Sequence, residues 1–283
     1  MTYKVKKIDI MICTKDRPSE LALLLQSLRT QTFQNFDIYI YDDRSGIPIT
    51  QHHFMQQVLN RIKLENHIVT ILRNDIPYGV TRLRRKMADK ITEIGEGDCI
   101  LRLDDDNLLE PNYIERLVET IEAGYDIASG VVPVCGIPIM KRNTKFVKPF
   151  ISDVKLNENG DIIYFGDDCG MEYMQHEIIP SPNFRSMALM KKDVHRKVQY
   201  EDNLGFCSFR EEQFFSFKAL FEGFKIGVHT GAVAYHLNTP SGGERTDAYY
   251  GGSQANHELL NRMCKKHFVD KGDFIEKYRE QFK

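Results

Sequence analysis

The chain has 283 residues, 42% apolar and 28% charged, and its 17 Phe and 13 Tyr supply enough surface to bury that global disorder is excluded. Thirty-eight Lys and Arg face 40 Asp and Glu, so the net charge is −2 and bulk electrostatics announces neither nucleic acid nor an anionic membrane as the partner. The six cysteines form no CxxC pair for zinc or thioredoxin-like chemistry and read as small buried hydrophobes in a reducing compartment. Thr14 and Lys15 cut short the first apolar run, and no run of roughly eighteen apolar residues exists for a transmembrane segment. The expectation is a cytoplasmic protein, with any membrane contact peripheral.

In chain order, the apolar run Ile8–Cys13 predicts a strand ending at Thr14-Lys15-Asp16. Pro18 suits the first turn of a helix whose stripe is Leu21, Leu24, Leu25 and Leu28. Phe36–Tyr41 predicts a second strand, stopping at the turn-forming Asp42-Asp43-Arg44-Ser45-Gly46. A helix over 50–63, a third strand over His67–Leu72 and an arginine-rich helix over 81–94 follow. Cys99–Leu103 reads as a fourth strand running into Asp104-Asp105-Asp106-Asn107, and Pro111 opens a helix. Strands alternating with helices predict an α/β fold, a Rossmann-like, mostly parallel sheet with helices on both faces. Ligands of such sheets gather beyond the carboxyl ends of the strands, where three of these four strands carry polar clusters.

The second half is less regular. Residues 135–182, with strand-like 161–165, read as an inserted loop or hairpin region. Ser186–Met190 reads as a strand and Glu212–Phe221 as a helix, followed by short strands at Ile226–His229 and Ala232–Tyr235. Asn238–Gly252, rich in glycine, suggests a loop that orders over a bound ligand, and a polar helix closes the chain.

Asp104, Asp105 and Asp106 repel one another unless a positive charge offsets them. A hard divalent cation bridging to a diphosphate is the usual solution. Calcium storage fits poorly, because an EF-hand loop starting at Asp104 would have Leu109 where glycine is needed.

The ordered motifs resemble those of family 2 glycosyltransferases of the GT-A fold. They are Thr14-Lys15-Asp16-Arg17-Pro18, Gln31-Thr32-Phe33, Asp42-Asp43-Arg44-Ser45, Gly79 with Leu83-Arg84-Arg85, and Leu103-Asp104-Asp105-Asp106-Asn107. Arg210-Glu211-Glu212, Gly223-Phe224-Lys225-Ile226 and Val233-Ala234-Tyr235-His236 complete the set, over about residues 8–236. Departures from the family pattern are Asp16 and Arg85 for Asn, Arg44 for Gly, and Glu212 for Asp. The Arg44 change implies a turn that does not depend on glycine-like backbone angles.

The resemblance implies one GT-A domain over 1–283, with a nucleotide-sugar-binding part to about 132 and an acceptor-side part beyond it. It implies that Thr14 and Asp43 hold the nucleobase and ribose, with Asp16 and Arg17 on the same donor side. Arg84 would face the diphosphate, while Arg82, Arg85 and Lys86 remain solvated helix charges. Asp106 is expected on an Mn²⁺ or Mg²⁺ ion, Asp104 on the ribose or the metal, Asp105 between them, and His236 as a further metal ligand. One of Glu211 and Glu212, with Glu212 favoured, would deprotonate the acceptor. The implied reaction is inverting transfer of a sugar from a nucleoside diphosphate sugar, UDP-sugar favoured, to a hydroxyl of a glycan, lipid-linked, peptide or small-molecule acceptor. A nucleotidyltransferase has a similar sheet but usually opens with a glycine-rich phosphate loop, where this chain has Thr14–Pro18. A non-catalytic nucleotide-sugar-binding module is the remaining alternative.

Overall fold

The computed structural model describes residues 4–136, 154–165, 176–184, 186–204, 208–240, 242 and 248–283. In chain order the elements begin with β1 (Ile8–Thr14), α1 (Pro18–Arg29), β2 (Phe36–Asp42), α2 (His53–Leu64) and β3 (Val69–Arg73). There follow α3 (Val80–Ile94), β4 (Cys99–Asp104), β5 (Asn107–Leu109), α4 (Tyr113–Glu122) and β6 (Ile127–Val131). The second half contains β7 (Val154–Leu156), β8 (Ile162–Phe165), β9 (Ile178–Pro180), β10 (Ala188–Lys191) and α5 (Lys192–Lys197). It closes with α6 (Glu211–Phe221), β11 (Ile226–His236), α7 (Ala248–Lys271) and α8 (Phe274–Glu280).

The main sheet has the order β3-β2-β1-β4-β10-β6-β11-β5, with β9 on β11. β1 runs parallel to β2 and β4, and β2 parallel to β3. Beyond β4 the sheet is mixed: β10 is antiparallel to both β4 and β6, while β6 and β11 are parallel. Strand alternation divides the core between two faces. Ile8, Ile10 and Ile12 of β1, with Leu101 and Leu103 of β4, pack with Leu21, Leu24 and Leu25 of α1 and Ile114 and Leu117 of α4. Met11 and Ile100 look the other way, onto Met87 and Ile91 of α3 and Phe214 and Phe217 of α6. Helices therefore cover both faces, as expected.

Several elements differ from the sequence reading. The two short strands expected near the end are one strand, β11, whose pairing with β6 shifts register between Val228 and Val233. Residues 248–252 start α7 rather than extend a loop, and residues 241 and 243–247 of the expected lid lie outside the described residues. So do 137–153 and 166–175 of the expected acceptor-side region. The turn after β2 uses the backbone angles the sequence argued against: Arg44 has φ 58°. The Asp42 carboxylate makes this possible by accepting from the N–H of Ser45 at 2.7 Å and of Ile49 at 3.3 Å.

Candidate functional site

The sheet register collects the polar strand ends. Thr14 stands beside Asp42 on β2, and Cys13 beside Asp104 on β4. β5 returns antiparallel against β11, pairing Asn107 with His236. The N–H of Leu237 donates to the Asp106 carbonyl at 2.9 Å, so the end of β11 is tied to the acidic turn.

At this junction Thr14 Oγ1 donates to Asp105 Oδ2 at 2.7 Å. Arg17 Nη1 donates to Asp105 Oδ1 at 3.1 Å and to Asp106 Oδ2 at 2.8 Å. Burial pushes the Asp105 carboxyl up to about 7, opposed by the Arg17 charge and reinforced by Asp106. Asp16 Oδ1 accepts from the Gly46 N–H at 2.6 Å, and its own N–H donates to Ser45 Oγ at 2.9 Å, joining the first two polar clusters. Gly242 packs so closely that a Cβ there would lie 2.5 Å from Arg17 Cγ, and its carbonyl accepts from Arg17 Nη2 at 3.4 Å.

Asp43 is buried and accepts from the N–H groups of Tyr78 and Gly79, each at 2.9 Å, and from Asn74 Nδ2 at 3.1 Å. Its carboxylate thus fastens the loop that leads into α3. The side-chain turn at this strand end is made by Asp42, which accepts from the Ser45 N–H and also pairs with Arg73 at 2.6 Å.

Strand alternation alone would put Asp104 on the same side as Asp106. β4 ends at Asp104, however, and Asp105-Asp106 form a turn, so strict alternation stops there. Asp104 pairs with Arg84, whereas Asp106 pairs with Arg17 and faces His236. Arg84 is buried because it shares the inward face of α3 with Met87, Ala88 and Ile91. Arg82 and Lys86 are exposed, and Arg85 is half-buried against Asp202 and Gln199.

Glu211 and Glu212 open α6 after Arg210, whose left-handed φ of 72° is rare outside glycine. Glu211 is buried between Arg84 and Arg102, with Arg102 Nη2 at 2.5 Å from its Oε1. The Glu212 side chain keeps 22% exposure and meets Arg102 at 3.4 Å. Sequence reasoning missed Arg102, although an arginine within the apolar strand CILRLD was visible. Burial and the neighbouring Arg84 charge push its guanidinium pKa down.

Among the described residues no three His, Cys, Asp or Glu side chains converge as a ready-made metal cluster. Asp106 Oδ2 and His236 Nε2 nevertheless lie 3.2 Å apart. Neighbouring ligands at about 2.1 Å from one ion would be separated by about 3 Å, so this pair fits two positions of a divalent cation. Oxygen and imidazole donors suit Mn²⁺, and Mg²⁺ commonly takes only one or two protein carboxylates and completes its shell from phosphates and water. A cavity of about 420 Å³ lies at the opposite, amino-terminal ends of β1–β3, bounded by Lys7, Phe36 and His67. Its Lys7 is paired with Asp37, and the strand-end motifs lie elsewhere.

The fold and its strand-end site define a GT-A protein. The family model for glycosyl transferase family 2 matches residues 9–178, and the chain belongs to that family. It is 29% identical over 123 residues to an uncharacterised glycosyltransferase of Haemophilus influenzae, covering 42% of this chain and 36% of that protein. It is 27% identical over 205 residues to the glucosyl-dolichyl phosphate glucuronosyltransferase of Haloferax volcanii, covering 70% of this chain and 57% of that protein. The chain thus spans only part of these relatives' lengths. Among solved structures, GalNAc-T7 with UDP, GalNAc and Mn²⁺ superposes with a TM-score of 0.69 at 16% identity, over 98% of this chain and 55% of that one. Staphylococcus aureus TarS follows at 0.55 and 15%, over 93% and 44%. At these identities the likeness is one of fold.

Proposed function

We propose that the chain transfers a sugar from a nucleoside diphosphate sugar, UDP-sugar favoured, to an acceptor hydroxyl with inversion at the anomeric carbon. The observation that carries this reading is the convergence of Thr14, Arg17, Asp105, Asp106 and His236 at the carboxyl ends of the strands, with Glu212 at the start of α6. The UDP and Mn²⁺ of the GalNAc-T7 structure support it. Thr14, Asp16, Asp43 and the neighbouring turn would contact the nucleoside, and Arg84 the diphosphate.

Asp106 and His236 would hold the divalent cation, whose charge, when bound, favours departure of the diphosphate. Arg17 contributes a fixed positive charge beside the same carboxylates, and Arg84 a planar fork suited to phosphate oxygens. Glu212 would take the proton of the acceptor hydroxyl as its oxygen bonds to the anomeric carbon. The bond from that carbon to the diphosphate oxygen breaks, and the diphosphate leaves with the electron pair. Glu211, clamped by two guanidiniums, is poorly suited to accept a proton. No helix among the described residues is long and apolar enough to cross a membrane.

The test is a panel of UDP-, GDP- and dTDP-sugars with Mn²⁺, Mg²⁺ or chelator, read as nucleotide release with water as acceptor. Metal-dependent release from one donor supports the reading. Nucleotide binding without turnover, with or without added sugar acceptors, would favour a binding module instead.

A further inference from the structure

Arg102 lies in the middle of β4, between Leu101 and Leu103, and no part of it reaches solvent. Its guanidinium carbon sits 5.6 Å from the Phe184 ring centre and 5.8 Å from that of Tyr200, and its Nε makes no hydrogen bond to a described residue. An apolar side chain there would avoid the desolvation of a buried charge. What the arginine adds is reach: Nη2 donates to Glu211 Oε1 at 2.5 Å and lies 3.4 Å from Glu212 Oε1. It does so under the turn where Arg210 enters α6 with left-handed backbone angles, which a residue with a Cβ adopts only when held there. Arg84 grips Glu211 from α3, whereas Arg102 reaches both carboxylates.

We propose that Arg102 is a positioning residue: by fixing Glu211 from beneath the first turn of α6 it aims the Glu212 carboxylate at the acceptor. This rests on the reading in which Glu212 takes the acceptor's proton. Arg102 touches no substrate, so its effect on turnover passes through Glu212. A misplacement of about 1 Å in such a group can cost on the order of 10²-fold in rate.

The experiment is a double-variant cycle with Arg102→Met and Glu212→Gln, using UDP release from the UDP-sugar the unaltered chain hydrolyses. Calorimetry with UDP and Mn²⁺ checks that each variant keeps its donor site. Arg102→Met should lower kcat by about 10–100-fold and leave the KM for the UDP-sugar within about threefold. In the Glu212→Gln background the same change should cost less than about threefold, because the residue it positions is already disabled. Arg102→Lys, which can pair with Glu211 but cannot span both carboxylates, should fall between, and it replaces Met in the cycle if that variant does not fold. Equal losses in both backgrounds, or a raised KM at unchanged kcat, would overturn the role of Arg102 alone. No release of nucleotide from any donor by the unaltered chain would overturn the catalytic reading and this role with it.

Discussion

Arg17 donates to Asp106 Oδ2 at 2.8 Å, and that oxygen is the one facing His236 Nε2 at 3.2 Å. The guanidinium and a divalent cation would therefore draw on the same carboxylate. Without Arg17, two buried carboxylates lose the guanidinium that pairs with both, and breaking a buried ion pair costs on the order of 3–5 kcal/mol. Arg17→Gln should lower Tm by roughly 10 °C in chelator. Added Mn²⁺ should then raise the variant's Tm by more than it raises that of the unaltered chain, since the ion supplies the missing charge. Thermal scans with chelator and with Mn²⁺ decide it, and equal Mn²⁺ responses in the two proteins would separate the ion from these carboxylates.

Asp106 is the carboxylate that faces His236, so its charge should dominate metal-assisted nucleotide binding. Asp106→Asn keeps the shape and removes the charge. Titration calorimetry of UDP should show tighter binding with Mn²⁺ than with chelator for the unaltered chain, and nearly equal binding for the variant. GDP and dTDP should be run alongside. Equal affinity with and without metal in the unaltered chain would count against the cation assignment.

Much of the frame was legible because its signals are local. The α1 stripe Leu21, Leu24, Leu25 and Leu28 is buried, and the first four strands lie within two residues of their expected bounds. The site was legible as a set of strand ends, since the parallel register sets Thr14 beside Asp42 and Cys13 beside Asp104. Its internal wiring was not. Whether Asp104 turns to Arg84 or to the side of Asp106 depends on a two-residue turn that periodicity does not encode. β5, β6 and β9 are short, and β5 and β9 are three residues each, so their pairing with β11 is a tertiary fact. Arg44 shows the same limit, because the Asp42 carboxylate supports a backbone angle that residue identity argued against.

His195 gives the chain a source of acid sensitivity beside the cluster that holds Arg102. It is buried among Tyr200 and Phe215, neither ring nitrogen has a hydrogen-bond partner among the described residues, and burial together with the Arg102 charge lowers its pKa to about 3. An unfolded histidine takes up its proton near pH 6.5, so between pH 6.5 and 3 the unfolded chain binds more protons. This contribution to stability is present above pH 6.5 and is lost as pH falls, by about 2 kcal/mol at pH 5. His195→Phe keeps a ring in place and removes the titration. Its urea midpoint should fall less between pH 7 and pH 5 than that of the unaltered chain; an unchanged drop would place the acid sensitivity elsewhere.

Glu211 and Glu212 are adjacent, yet their surroundings differ. Glu211 is buried between Arg84 and Arg102, so Glu211→Gln removes the partner of two guanidiniums and should be read mainly in stability, as a fall in Tm. Glu212 is half-buried, with a 3.4 Å contact to Arg102, and its side chain keeps some exposure. Glu212→Gln preserves size and hydrogen bonding but removes basicity. It should leave UDP and Mn²⁺ affinity nearly intact and lower turnover by roughly 10²–10⁴-fold, the usual scale of general-base catalysis. Glu211→Gln, assayed below its Tm, should cost less turnover than that. Calorimetry and steady-state rates on the two variants separate the roles. Near-normal turnover of Glu212→Gln at saturating donor and acceptor, with chemistry shown to limit the rate, would remove Glu212 as the base.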